Sequence, residues 1–440
     1  MSCRSAVYQW TEVVTRHMPQ LSKPQAAVLA LWSLGMVLAR SCALTAVSLF
    51  LAQGLERKAN TVRQQLREFC YEAKAKRGGP RQEVAVESCF APLLAWVLSW
   101  WEGQQLAFAV DATTLGQRFV VLVISVLYRG CAIPVAWTVL PATEKHAWRG
   151  EWLRMLRQVR TVVPRRFFVI VLADRGLYAR WLFQRIVRLG WHPVLRINTG
   201  GTFRPAKSGH SQPLREFVPQ PGRQWVGTGT AFQGPRRRLN CTLLARWDEG
   251  YRDPWLLLTD LTPSAGEACW YGLRAWIEQG FKVTKRGGWQ WQRTRMSDPQ
   301  RAARLWLAVA VATLWLLSVG GLAEDTLPVS TLLPLADADS PAPRLRSATQ
   351  LRFVSVFRQG WITILVALLN QRRLRKAASF RSRGLKLFKV THREELLRCF
   401  WLLKTPTPER SPHGVAWELL SPQLGLQHFE LLIDGHRQFE

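Results

Sequence analysis

LAFAVDATTL, residues 106–115, sets a single aspartate, Asp111, into an otherwise uncharged run, and FFVIVLADRG, residues 167–176, ends in the same way on Asp174. Both runs are apolar and bounded by turn residues, so both read as buried strands. A carboxylate at the end of such a strand is costly unless it is paired, hydrated or bound to a cation. Working outward, FVVLVISVL (119–127) and CAIPVAWTVL (131–140) read as a strand pair that turns at Tyr128, Arg129 and Gly130. A helix follows from Trp148 to about Arg160, another runs from Leu177 to Leu189 after Asp174, and HPVLRIN (192–198) makes a fifth strand.

Three strands, helix, strand, helix, strand is the order of a ribonuclease-H-like α/β domain, which predicts a mixed sheet flanked by helices. Residues 200 to about 255 interrupt it with Gly, Pro, Thr, Arg and short β-like pieces such as RRRLNCTLLARW (236–247), and predict an inserted β subdomain whose last strand is WLLLTDL (255–261). The expected divisions are a helical N-terminal DNA-binding region over 1–80, the catalytic domain with its insertion over 81–325, and a basic, partly helical C-terminal region over 326–440 for DNA contact or dimerisation. KAKRGGPRQE (74–83) reads as a linker. A Pro- and Asp-containing connection, 327–343, precedes basic helical stretches that include NQRRLRKAASFRSRG (370–384).

Lys and Arg number 60 against 30 Asp and Glu, a net charge of +30 spread along 440 residues. That excess points to a polyanionic partner, most simply nucleic acid. The 8 cysteines show no CxxC pair and no histidine at zinc spacing, and read as small buried hydrophobes in a reducing compartment. The opening MSCRSAVYQW is polar and predicts no secretory signal, so a cytoplasmic location is expected. LWLAVAVATLWLLSVGGLA, 305–323, meets the length rule for a membrane span, but it stands without a comparable second segment and is diluted by Thr313, Ser318 and a Gly-Gly pair. It is read as a central buried helix, with no membrane partner.

Near the N-terminus an apolar helix from Ala43 leads through Gly54 to a helix bearing Arg57, Lys58, Asn60, Arg63, Gln64 and Arg67. These side chains suit phosphates and base edges, so the pair reads as a helix-turn-helix or as an ordinary αα-hairpin with a basic exposed face. A second basic stripe lies in YGLRAWIEQGFKVTK, 271–285. At about 100° per residue, Tyr271, Arg274, Glu278, Lys282 and Lys285 share one face of a helix. A solvated face laced with i,i+4 pairs is the usual explanation of such a stripe taken alone.

Taken together, Asp111 and Asp174 on neighbouring parallel strands could share a divalent cation, with Glu278 as third ligand. An all-oxygen donor set suits Mg²⁺ or Mn²⁺, and two ions suit phosphodiester chemistry. A turn cap for Asp111 and a pair with Arg175 for Asp174 are the structural alternatives. Tyr271, Arg274, Glu278 and Lys285 also reproduce the spacing Tyr-x2-Arg-x3-Glu-x6-Lys. With the two strand aspartates, the chain resembles the DDE transposases of the insertion-sequence-four family over about 106–318.

The resemblance implies that Asp111, Asp174 and Glu278 are catalytic and hold two Mg²⁺ or Mn²⁺ ions. It implies that Tyr271, Arg274 and Lys285, with Lys282 beside them, grip a DNA 5′-phosphate. It further implies cut-and-paste transposition of a prokaryotic insertion sequence, with double-stranded transposon ends and target DNA as partners and a homodimer in the synapse. In the family a tryptophan on the strand before this helix stacks on a flipped base; Trp255 holds the matching position, where an aromatic of a core strand is the other reading, and Trp247 and Tyr251 are the nearest substitutes. The rival functions are a ribonuclease-H-like nuclease without strand transfer and an inactive or domesticated DNA-binding protein.

Overall fold

The apolar runs fold into one mixed sheet. In the computed structural model the described residues are 3–76, 82–144, 148–232, 238–326 and 354–372. The first five strands are Gln105–Leu115 (β1), Phe119–Tyr128 (β2), Cys131–Pro141 (β3), Phe168–Ala173 (β4) and His192–Arg196 (β5). β1, β4 and β5 are parallel, while β2 and β3 fold back antiparallel on β1. This mixed α/β arrangement is the ribonuclease-H-like one that the sequence predicts. Every residue of β2 is buried, which requires cover on both faces of the sheet.

Thr202–Pro205 (β6), Gln212–Pro213 (β7), Gln224–Ala231 (β8), Leu239–Arg246 (β9) and Trp255–Thr259 (β10) extend the same sheet, giving the order β3-β2-β1-β4-β5-β10-β9-β8-β6-β7. The insertion is therefore a continuation of the sheet, stitched on where β10 pairs with both β5 and β9. One face of its outer part is closed by Phe203, Phe217 and Trp225, whose rings lie 4.5 to 6.0 Å apart.

Helices Cys3–His17 (α1), Lys23–Ala39 (α2), Leu44–Leu55 (α3) and Ala59–Phe69 (α4) precede the sheet. α2 starts on a capping box, with the Ser22 hydroxyl accepting from the Gln25 backbone and the Gln25 side chain returning to Ser22 N–H. α4 buries Val62, Leu66 and Phe69, an i, i+4, i+7 stripe, and leaves Arg57, Lys58, Asn60, Arg63, Gln64 and Arg67 exposed around it. Phe90–Ser99 (α5), Arg149–Arg160 (α6) and Arg180–Arg188 (α7) pack against one another or the sheet.

Ala275–Lys282 (α8) is followed by Pro299–Thr326 (α9), the apolar helix that satisfies the length test for a membrane span. Its span-like window is 94% buried inside the protein, against β3, α2 and Val356–Leu369 (α10). The residues that dilute it have partners: Thr313 accepts from Trp289 Nε1 at 2.8 Å and donates to Val309 O, and Ser318 donates to Trp315 O. Trp315 stacks on Trp10 of α1 at 4.1 Å, and Trp306 lies between Trp137 and Trp291. Indoles thus tie the N-terminal helices, α9 and the sheet into one core.

α10 crosses α9 closely enough that a Cβ on Gly360 would lie 1.8 Å from Leu316 O, and one on Gly320 2.0 Å from Val356 O. Backbone atoms cannot yield as a side chain can. Gly360→Val is expected to cost about 3 kcal/mol through overpacking and to lower the thermal unfolding midpoint by several degrees; an unchanged midpoint would rule out this crossing.

The connection 327–343, most of 370–384 and the greater part of the C-terminal region lie outside the described residues, as does the centre of the 74–83 linker.

Candidate active site

β1 and β4 run side by side with Val110 opposite Ala173, so the next residue on each is an aspartate, Asp111 beside Asp174. Local backbone groups fix both carboxylates: Ala112 N–H donates to Asp111 Oδ1 at 2.8 Å, and Arg175 N–H donates to Asp174 Oδ1 at 2.7 Å. The Arg175 guanidinium turns away to Asp253, 3.4 Å distant, so it does not neutralise Asp174.

The third carboxylate arrives from α8. Arg274, at the junction between a 3₁₀ turn over Ala268–Arg274 and α8, reaches all three acids. Its Nη2 lies 2.6 Å from Asp111 Oδ2 and 3.4 Å from Asp174 Oδ2, and its Nη1 lies 2.5 Å from Glu278 Oε1. Three carboxylates from three elements converge on one guanidinium. Burial pushes the Asp111 carboxyl above its ordinary range, an effect that Arg274 and the Ala112 N–H offset only in part. Burial also raises Asp174, but Arg274, the Arg175 N–H, the Tyr271 hydroxyl and Arg196 outweigh it and hold Asp174 below the usual range.

The stretch 271–285 departs from a single α-helix. It passes from the 3₁₀ turn through α8 to a π-type turn over Val283–Gly287. Because these turns have different residues per turn, the one-face stripe expected at 100° per residue does not form. Tyr271 is buried, with its hydroxyl donating to Asp174 at 3.0 Å and Arg196 over its ring, so it orients a carboxylate instead of facing a DNA phosphate. Lys282 is exposed and Lys285 half-buried, its ammonium shifted down by burial and then by Arg286. Among the residues assigned to phosphate, the two lysines reach solvent, while Arg274 is engaged by the acids.

Trp255 also requires correction as a base-stacking residue. It is 8% exposed, with Tyr251 and Tyr271 edge-on to its ring at 6.1 and 5.3 Å. In this arrangement Trp255 packs as an aromatic of a core strand, the other reading of its sequence. Trp247, one of the two substitutes, is only partly buried.

Sequence reasoning missed Arg196. It closes β5, its Nη1 lies 4.0 Å from Asp174 Oδ1, and it covers the Tyr271 ring. The only signal was an arginine in the apolar strand HPVLRIN.

The donor chemistry suits a hard divalent cation, since every candidate ligand is a carboxylate oxygen. As arranged, however, no group of three acidic, histidine or cysteine side chains among the described residues stands close enough to hold one ion. The acids are spread around Arg274.

A family model described as a transposase DDE domain matches residues 139–315. The matched segment carries Asp174, Arg274 and Glu278, while Asp111 lies ahead of it. This supports a DDE transposase. No curated protein matches the chain. Among solved structures, the cryo-EM structure of the piggyBac transposase synaptic complex with hairpin DNA is similar with a TM-score of 0.37 and 10% identity, covering 70% of this chain and 72% of that one. At that score the likeness adds nothing to what the strand order shows.

Proposed function

We propose that the protein is a cut-and-paste transposase of the insertion-sequence-four type, which hydrolyses phosphodiesters at the terminal inverted repeats of its own element and joins the freed 3′-hydroxyls to target DNA. The observation that carries this reading is the convergence of Asp111, Asp174 and Glu278 on Arg274 within a ribonuclease-H-like sheet. Asp111, Asp174 and Glu278 would hold two Mg²⁺ or Mn²⁺ ions. When bound, such ions lower the pKa of a nucleophilic water and stabilise charge on the leaving oxygen.

The protein's own groups supply position. Tyr271 and the Arg175 N–H hold Asp174 Oδ1, and the Ala112 N–H holds Asp111 Oδ1, so both acids are fixed before DNA arrives. Bonds of this kind reduce the reorganisation left for the reaction, although the three acids must still draw together from their spread around Arg274 to hold an ion. Arg196 lies beside Asp174, and with Lys282 and Lys285, which follow Glu278 in the chain, it would draw a phosphate toward the carboxylates. The exposed basic face of α4 would take double-stranded DNA outside the reacting site, and handling two ends together calls for a homodimer. A cytoplasmic, nucleoid-associated location follows from that substrate.

The test is incubation of the full chain with a duplex that carries the element's own ends. With Mg²⁺, nicks at the end boundary leaving 3′-hydroxyls, followed by joined products, are expected, and chelation should abolish both. Nicking without joining would assign a nuclease instead. Binding without nicking, by folded protein, would assign a DNA-binding protein without catalysis.

A further inference from the structure

A second basic surface, apart from α4, lies on α6 and α7. Residues 149–190 hold 10 arginines against 2 acids, Glu151 and Asp174. Neither acid serves this surface, since Glu151 is held by Arg154 and Asp174 belongs to the candidate site. Arg149, Arg157, Arg165, Arg166, Arg180 and Arg188 are exposed, and none of the six forms an ion pair with another described residue. A solvated helix face is ordinarily laced with both signs of charge. This one carries a single sign.

Two contacts lay the helices side by side and in the same direction. Arg149, in the first turn of α6, lies over the ring of Trp181 in the first turn of α7, and Arg160, in the last turn of α6, donates to Leu189 O just past the end of α7. Arg149 and Arg180 therefore stand at the end of the sheet that carries Asp174, and Arg157, Arg165, Arg166 and Arg188 at the end where β4 and β5 begin. The band also faces away from α4. On β3, Trp137 donates to Ala303 O of α9, while its neighbour Thr138 donates to Glu151 of α6. Successive residues of a strand point to opposite faces, so α9 and α6 cover opposite faces of the sheet. α4 packs on α2, and α2 on α9, which places α4 on the side of α9. A sheet with a helix layer on each face is roughly 30 Å thick, so a straight duplex lying along one side does not touch the other.

We propose that the arginine band of α6 and α7 takes a second DNA duplex, held through its phosphates and without regard to sequence, while α4 holds the first. The planar donor fork of a guanidinium matches phosphate oxygens. Contacts to phosphate fix a duplex in place but do not read its bases. Of the two duplexes that strand joining requires, the one that needs no particular sequence is the target. That last assignment rests on the proposed function; the presence of a second duplex on the band does not.

Fluorescence anisotropy tests this without a turnover readout. The full chain is mixed with one equivalent of an unlabelled duplex carrying the element's own ends, under chelation, and titrated with a labelled duplex of unrelated sequence. The native chain is expected to bind the labelled duplex with an affinity that falls steeply with salt. Arg157→Ala, Arg165→Ala and Arg188→Ala together should weaken that binding about a hundredfold near 0.1 M salt and lower the slope of log affinity against log salt by about 2.7, with affinity for the end duplex kept within about twofold. Lysine at the same three positions keeps the charge and should keep the slope, which separates phosphate contact from damage to the fold. No second duplex on the native chain, or the native slope in the alanine variant, overturns the proposal. Equal loss of both duplexes in the alanine variant also overturns it, because the band and α4 would then serve one bent duplex. If both duplexes bind as expected while Mg²⁺ yields neither nicks nor joined products, the band stands as a duplex surface and the transposase reading fails.

Discussion

Asp111→Asn is expected to lower the rate of end cleavage at least about a thousandfold while leaving DNA affinity within about twofold. The size follows from the charge removed: losing a ligand to ions that stabilise the reacting oxygens costs several kcal/mol, and each 1.4 kcal/mol is a factor of ten. Shape is nearly conserved, because the remaining side-chain oxygen can still accept the Ala112 N–H. Fold stability should change far less than activity. Burial already pushes the Asp111 carboxyl above its ordinary range, so removing the charge relieves desolvation even as it loses the Arg274 contact at 2.6 Å. Asp248→Asn is the matched control, since Asp248 is also held by one arginine, Arg246, at 2.8 Å, but on the extension of the sheet. Cleavage by Asp111→Asn at the native rate, measured in single turnover on a labelled duplex, would remove this pocket from the chemistry.

Asp111 was legible in the sequence because its surroundings are one-dimensional. A buried strand is recognised from its own residues, and a carboxylate set into it is conspicuous whatever the partner strand, although β1 runs on past Asp111 to Leu115. The same holds for β4 and Asp174, and for the turn at Arg129 and Gly130, where both residues take positive φ of 44° and 84°. What the sequence could not show depends on neighbours remote in the chain. The face that Tyr271 presents follows from a 3₁₀ turn that its hydroxyl bond to Asp174 accompanies, and a helical period applied uniformly from 271 to 285 cannot register a change of turn type. With 22 tryptophans in the chain, nothing local separates the wedged Trp255 from a stacking platform. That the insertion continues the sheet is likewise a matter of edge pairing, β10 with β5, which strand composition does not encode. The Arg274 cluster was half legible: the i,i+4 spacing to Glu278 predicts their contact, but only the fold brings Asp111, 163 positions away, to the same guanidinium.

Removing three charges from α4 and the two residues before it is the second large effect. The triple change Arg57→Ala, Lys58→Ala and Arg63→Ala should weaken DNA binding by about 10²–10³-fold near 0.1 M salt, because each phosphate contact contributes about 0.9 to the slope of log affinity against log salt. The slope should fall by about 2.7. Stability should hardly move, since all three side chains are exposed and the one bond among them, Arg57 to Gln65, is 3.4 Å long. Asn60 and Gln64, on the same exposed surface, are neutral and can pair with base edges, so Asn60→Ala should instead relax sequence preference by about 1–3 kcal/mol without altering the slope. The two outcomes separate a recognition helix from a merely basic one. With +30 on the chain, some residual affinity is expected from other surfaces, and it is the change in slope that locates the contact. A triple variant with the native slope would make α3 and α4 an ordinary hairpin and move DNA-end recognition elsewhere, while leaving the acids around Arg274, which no residue of α4 touches through a charge, with the same chemistry.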